Sequence, residues 1–132
     1  MRIRFDGRSA LFALLWFAVL ITLATAGANL GWLRGFGGDV LAVIWLYCLL
    51  RAAIDAPAHW LAAAALGCGL IIEFGQYLAA IFHWQIGNRA LRIVLGATPD
   101  WLDVLAYGIG FALILAARLA LRARLHAREL EP

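Results

Sequence analysis

GCGLIIEFGQ, residues 67–76, sets a carboxylic acid and an amide inside the third long apolar run of the chain. An ionisable side chain at bilayer depth costs about 2.5–3.5 kcal/mol on insertion scales, so it normally faces protein or water and has a partner. Glu73 therefore predicts a helix packed within a bundle and a polar partner elsewhere in the chain. The surrounding run, residues 60–82, is rich in small residues. Ala63/Gly67, Ala65/Gly69 and Gly75/Ala79 have the small-xxx-small spacing that lets helices approach to backbone contact. On that pattern the third helix is expected to be the central one.

The composition agrees with a membrane setting. The 132 residues are 65% hydrophobic and only 14% charged, where a soluble domain is about half apolar and about a quarter charged. The mean hydropathy is +0.88. Six Trp and seven Phe suit the two bilayer interfaces. All basic side chains other than histidine are arginine. The net charge of +3 and the pI near 9.4 do not point to nucleic acid, because the arginines cluster at helix ends, where topology and anionic lipid account for them. Cys48 and Cys68 lie within apolar segments and read as packing residues.

Four spans are predicted, at about residues 9–31, 39–54, 60–82 and 99–118, giving an all-α four-helix transmembrane bundle as a single domain over 1–132. The first run has the length to cross a hydrocarbon core of about 30 Å. A signal peptide ending at Ala24-Thr25-Ala26 is the alternative reading. Gly27 and Gly31 form GxxxG, which favours a retained, closely packed helix. Arg34-Gly35-Phe36-Gly37-Gly38 reads as a turn, with Asp39 the N-cap of the second helix. That helix is then short, and Arg51 is expected to snorkel. Pro57 separates the second and third spans. Residues 83–97, with Arg89 and Arg92 three apart, read as an interfacial or re-entrant segment. Thr98 as cap and Pro99 in the first turn start the fourth helix. Eight arginines fall on the side of the termini and three on the other, which predicts an N-in/C-in topology. No internal repeat stands out.

The unusual polar residues gather on the outer side of this topology. Glu73 lies about 16 Å of helix below Trp84, with Gln76 one turn above it on the same face. Asp39, Asp103 and Tyr107 enter from the second and fourth helices, and Arg89 and Arg92 from the long loop. Together they predict an outward-opening pocket. Each has a structural reading as well: Asp39 as a cap, Asp100 as a helix-dipole complement, Asp103 as an anchor for the loop arginines, and Glu73 as a hydrogen-bonded packing residue. His59, His83 and His126 sit in separate segments without metal-ligand spacing. Ser9 is the sole serine, and neither GxSxG nor HExxH occurs. The sequence thus points away from an enzyme, a metal site or a cofactor.

Several blocks in order, Gly38-Asp39-Val40-Leu41, Glu73-x-x-Gln76, Arg92-x-x-Leu95-Gly96 and Asp100-Trp101-Leu102-Asp103-Val104-Leu105-Ala106-Tyr107-x-x-Gly110, resemble the VanZ-like superfamily of small bacterial membrane proteins. The closest match is a branch known as a domain of unknown function. The resemblance covers roughly residues 31–110. It implies that Asp39, Glu73, Gln76, Arg92 and Asp103 are the family's polar positions, and that the chain resides in the bacterial cytoplasmic membrane. VanZ itself is associated with low-level teicoplanin resistance. Asp100 departs from the apolar or aromatic residue expected there.

Three functions are open on this reading. The pocket holds a membrane lipid, anionic or a cell-envelope precursor, or else a partner helix from a second copy or another membrane protein. Alternatively, Glu73 titrates in a proton-coupled transporter or oligomeric channel. Or the network is purely structural.

Overall fold

The structure is a computed structural model and describes residues 1–85, 87–88 and 99–129. Its long helices are α1 (Gly7–Ala26), α2 (Trp32–Ala53), α3 (Ala58–Ile81) and α4 (Trp101–Glu129). All four are long and apolar enough to cross a membrane. Most large apolar side chains are exposed, including Leu11, Leu14, Ile71, Phe74 and Leu113. That is the surface of a bundle whose solvent is lipid. The all-α transmembrane bundle read from the sequence is the fold.

One feature has no counterpart in the sequence reading. β1 (Arg2–Ile3) pairs antiparallel with β2 (Ile54–Asp55), with Arg2 opposite Asp55 and Ile3 opposite Ile54. The Arg4 and Asp6 N–H groups donate onward to the Ala53 and Ala52 carbonyls at 3.0 and 2.9 Å. The N-terminal arm is thus tied to the α2–α3 connection. Asp6 caps α1: its carboxylate accepts from the Ser9 hydroxyl at 2.6 Å and the Arg8 N–H at 3.2 Å. These bonds, the Ser9 hydroxyl foremost, hold the Asp6 carboxyl below its ordinary range.

The α1–α2 corner corrects the sequence reading. A 3-10 turn, Gly27–Leu30, leads to Gly31 at φ 52° and ψ −125°, a conformation that residues with a Cβ rarely adopt. Gly27 and Gly31 therefore end one helix and turn into the next; they are not a packing motif. Arg34 to Gly38, expected as a turn, are helical, and α2 begins at Trp32. The energetics favour this. A helical glycine costs about 1 kcal/mol relative to alanine, whereas each backbone polar group left unpaired in hydrocarbon costs several. Asp39 is consequently not an N-cap but lies two turns inside α2. Nor is α2 short, at 22 residues. Arg51 has no need to snorkel: its Nη1 donates to the Ala56 carbonyl at 2.9 Å and closes the α2–α3 corner.

The central helix is α2, which packs against α1, α3 and α4, whereas α3 packs against α2 and α4. Among the three small-residue pairs of α3, only Ala65/Gly69 faces a neighbour. Ala63 is exposed, and a Cβ at Gly67 or Gly75 would meet nothing within 4 Å. The face α3 buries is Ala58, Leu61, Ala62, Ala65, Gly69 and Glu73, a stripe at helical spacing. Ala58, Leu61, Ala62 and Ala65 meet Val43 and Tyr47 of α2 and Tyr107 and Ile114 of α4 in one core. The tightest crossing is between α2 and α4, where a Cβ on Gly110 would stand 2.8 Å from the Val40 carbonyl oxygen and 3.1 Å from the Val43 Cβ. Because Val40 and Val43 meet Gly110 and Tyr47 shares a core with Ile114, α2 and α4 run parallel. Both termini therefore lie on the side of the α2–α3 connection.

Two tests follow from these contacts. Gly110→Ala should lower stability by about 1–3 kcal/mol, the usual range for overpacking, while Gly67→Ala should stay within about 0.5 kcal/mol of the parent. Thermal melting in a mild detergent distinguishes them. At the N-terminus, the depressed Asp6 carboxyl stabilises α1 above its unfolded value of 3.8 and loses that contribution as pH falls through the folded value. Amide exchange at Arg8 to Ala10 should rise on acidification, and Ser9→Ala should move the rise to higher pH.

Candidate functional site

Glu73 finds its partner at the start of α4. Its Oε1 accepts the Asp100 backbone N–H at 2.6 Å. The first N–H groups of a helix have no partner within it and carry the positive end of its dipole. A carboxylate from α3 thus answers the open end of α4. Asp100 supplies the local cap: its Oδ1 accepts the Leu102 N–H at 2.9 Å and its carbonyl accepts the Asp103 N–H at 3.1 Å. The cap is therefore Asp100, not Thr98, which lies outside the described residues, and Pro99 precedes the helix. The expected arginine partners, Arg89 and Arg92, also lie outside the described residues, as does most of the proposed interfacial segment.

This bond fixes a depth. Glu73 is eight residues, about 12 Å of helix, below the end of α3 at Ile81. Asp39 is likewise about 10 Å below the start of α2 at Trp32. The α4 N-terminus is therefore submerged, well below the ends of both neighbours on the side away from the termini. Counting from that level, Leu115 stands opposite Ala58 at the foot of α3, and the rest of α4, to Glu129, runs past that foot by about 21 Å.

The submerged end gathers carboxyl groups. Asp39 and Asp103 are side-chain hydrogen-bond partners across the α2–α4 crossing. Glu73 and Asp100 are their electrostatic neighbours, and Tyr107 is within electrostatic reach of Asp39, Asp103 and Glu73. The Tyr107 ring also closes over Gly69, where a Cβ would come to 3.0 Å. Among the described residues, these acids do not converge into a set of three able to hold a metal ion.

Glu73 is only half satisfied. It is 7% exposed, and its Oε2 is buried without a hydrogen-bond partner, as is the Gln76 Oε1 one turn away. Beside Glu73 lies a cavity of about 540 Å³ between α3 and the start of α4. From α3 it is lined by Leu70, Glu73, Phe74 and Tyr77. From the other side come Pro99, Asp100, Trp101 and Val104. Phe74, Tyr77 and Trp101 are exposed on the outer surface of the bundle, so the cavity opens sideways, toward lipid.

The structure brings together Asp39, Glu73, Asp103 and Tyr107, and sets Gln76 next to Glu73. Sequence reasoning missed the apolar walls, which look like any lipid-facing residues, and the bond to a backbone N–H, which leaves no side-chain signature. It also passed over one signal. Asp39-Val40-Leu41-Ala42 recurs as Asp103-Val104-Leu105-Ala106, and the structure sets the two copies on parallel helices with their acids as electrostatic neighbours.

Fold and site together define a multi-pass membrane protein of four apolar helices. Residues 28–111 match the family described as "Protein of unknown function (DUF2809)", nearly two thirds of the chain, and the protein belongs to that family. No curated protein and no solved structure matches it.

The Glu73 bond is testable by substitution. Glu73→Gln retains an acceptor for the Asp100 N–H and should cost little. Glu73→Leu leaves that N–H unpaired at depth and should cost about 1–3 kcal/mol. Asp39→Asn and Asp103→Asn should be non-additive by about 0.5–3 kcal/mol in a double-mutant cycle read by melting.

Proposed function

We propose that this protein is a non-enzymatic binding protein of the bacterial cytoplasmic membrane, with both termini cytoplasmic, whose laterally open pocket at the head of α4 holds a membrane amphiphile. One observation carries the reading: the unpartnered Glu73 Oε2 on the wall of the 540 Å³ cavity. A buried acceptor left bare costs about 1–3 kcal/mol, more when charged, and a ligand that donates to it recovers that loss. The arginine distribution supports the orientation. The order of polar blocks supports a place among VanZ-like proteins, and the sideways opening of the cavity suits a lipid of the cell envelope.

A second reading rests on a different observation. Asp39 and Asp103 pair two acids at bilayer depth, the kind of group found in proton relays. On that reading the protein is a proton-coupled carrier or channel, assembled as an oligomer because four helices are few for a carrier.

Lipid analysis separates the two. Binding predicts that a lipid co-purifies in mild detergent with the parent protein and is depleted in Glu73→Gln at unchanged melting temperature. Equal lipid in both removes the binding reading. Proton coupling predicts a pH-driven flux in proteoliposomes that Asp103→Asn abolishes.

A further inference from the structure

The chemistry of the cavity narrows what it takes, if it is the binding site argued above. Its depth holds acceptors. Glu73 is more than nine-tenths buried, and its Oε2 is bare. Asp100 lines the same wall, and the Gln76 Oε1 nearby is a second bare acceptor. The charged neighbours of Glu73 among the described residues are Asp100 and Asp103, both acids, with Asp39 hydrogen-bonded to Asp103 behind them. Among the described residues, this site gathers only acids as its charged groups. It repels an anionic head and attracts a cationic one.

The remaining wall sets the rest of the ligand. Phe74, Tyr77 and Trp101 offer aromatic faces, which attract an ammonium within about 6 Å of the ring. Leu70 and Val104 offer hydrocarbon, and the lateral opening leads to lipid rather than to water. A bare metal ion would gain nothing from these walls, and the described acids do not converge on one point. At the α4 N-terminus two N–H groups are already taken, that of Asp100 by Glu73 and that of Leu102 by Asp100.

We infer that the cavity binds an amphiphilic amine, its ammonium donating to Glu73 and Asp100 and its alkyl chain lying along Leu70 and Val104 toward the acyl region. An aminophospholipid headgroup and a free long-chain amine share this chemistry.

The test uses the full-length protein in nanodiscs of phosphatidylcholine. Spin-labelled dodecylamine, dodecyl sulfate and dodecanol serve as probes, and phosphatidylethanolamine as competitor. Dodecylamine should be retained at least about tenfold more tightly than dodecyl sulfate, and Glu73→Gln should cost about tenfold, the value of one charge-assisted hydrogen bond. Val104→Trp, which fills the cavity and leaves every acid in place, should also release the amine. Competition by phosphatidylethanolamine assigns the site to a lipid head; its failure, with dodecylamine still bound, assigns it to a free amine. Retention of dodecyl sulfate or dodecanol in preference, sensitive to Glu73→Gln, would overturn the amine while leaving the pocket. Binding of no probe, or binding indifferent to both variants, would overturn the inference and the pocket together.

Discussion

The hydrogen bond from the Asp100 N–H to Glu73 sets the level of everything around it. A helix that starts inside a membrane exposes N–H groups that water cannot reach, and each would cost several kcal/mol if left bare. A carboxylate is the strongest available acceptor, and it complements the helix dipole as well. Burying that carboxylate alone would be equally unfavourable. Each of the two groups is costly by itself at this depth, and together they are stable. The pairing explains how an acid survives in the middle of α3 and why α4 begins about 12 Å below the end of its neighbour.

The rest of the bundle serves that junction. Gly110 lets α4 press against the α2 backbone at Val40 and Val43, and that close crossing brings Asp103 to Asp39. Gly69 makes room for the Tyr107 ring, which screens the acids from the apolar core below. Gly31, turning at positive φ, starts α2 early enough to place Asp39 two turns down. At the other end, the β1–β2 ladder and the Arg51 bond to Ala56 pin the chain where water is close and polar backbone is cheap. Among the described residues, the acids within the spans are thus confined to one junction.

Much of this was legible in the residues, and the limits are physical. Helix number, span and polar positions follow from hydropathy, because lipid permits few alternatives to a helix. The corner at Arg34 to Gly38 was misread because glycine propensity is calibrated in water, where a turn can solvate its backbone; in hydrocarbon it cannot. The centre of the bundle was misassigned because small residues permit close approach without requiring it: in α3 only Ala65/Gly69 meets a neighbour, while one glycine of α4, Gly110, makes the closest crossing. The acids were recognised, and the arginines expected to partner them, Arg89 and Arg92, lie outside the described residues. A backbone N–H at a submerged helix end does the same work with no residue to mark it, and Asp100 was read merely as complementing a dipole.

The direct measurement is the distance between the Glu73 side-chain carboxyl carbon and the Asp100 amide nitrogen, by dipolar-recoupling solid-state NMR on labelled protein in lipid bilayers. A separation of about 3.5 Å, the reach of one short N–H···O bond plus the C–O bond, is the expected result. A separation beyond the range of the coupling, with the Glu73 carboxyl in contact with acyl chains, would contradict the junction on which the site and its proposed ligand rest.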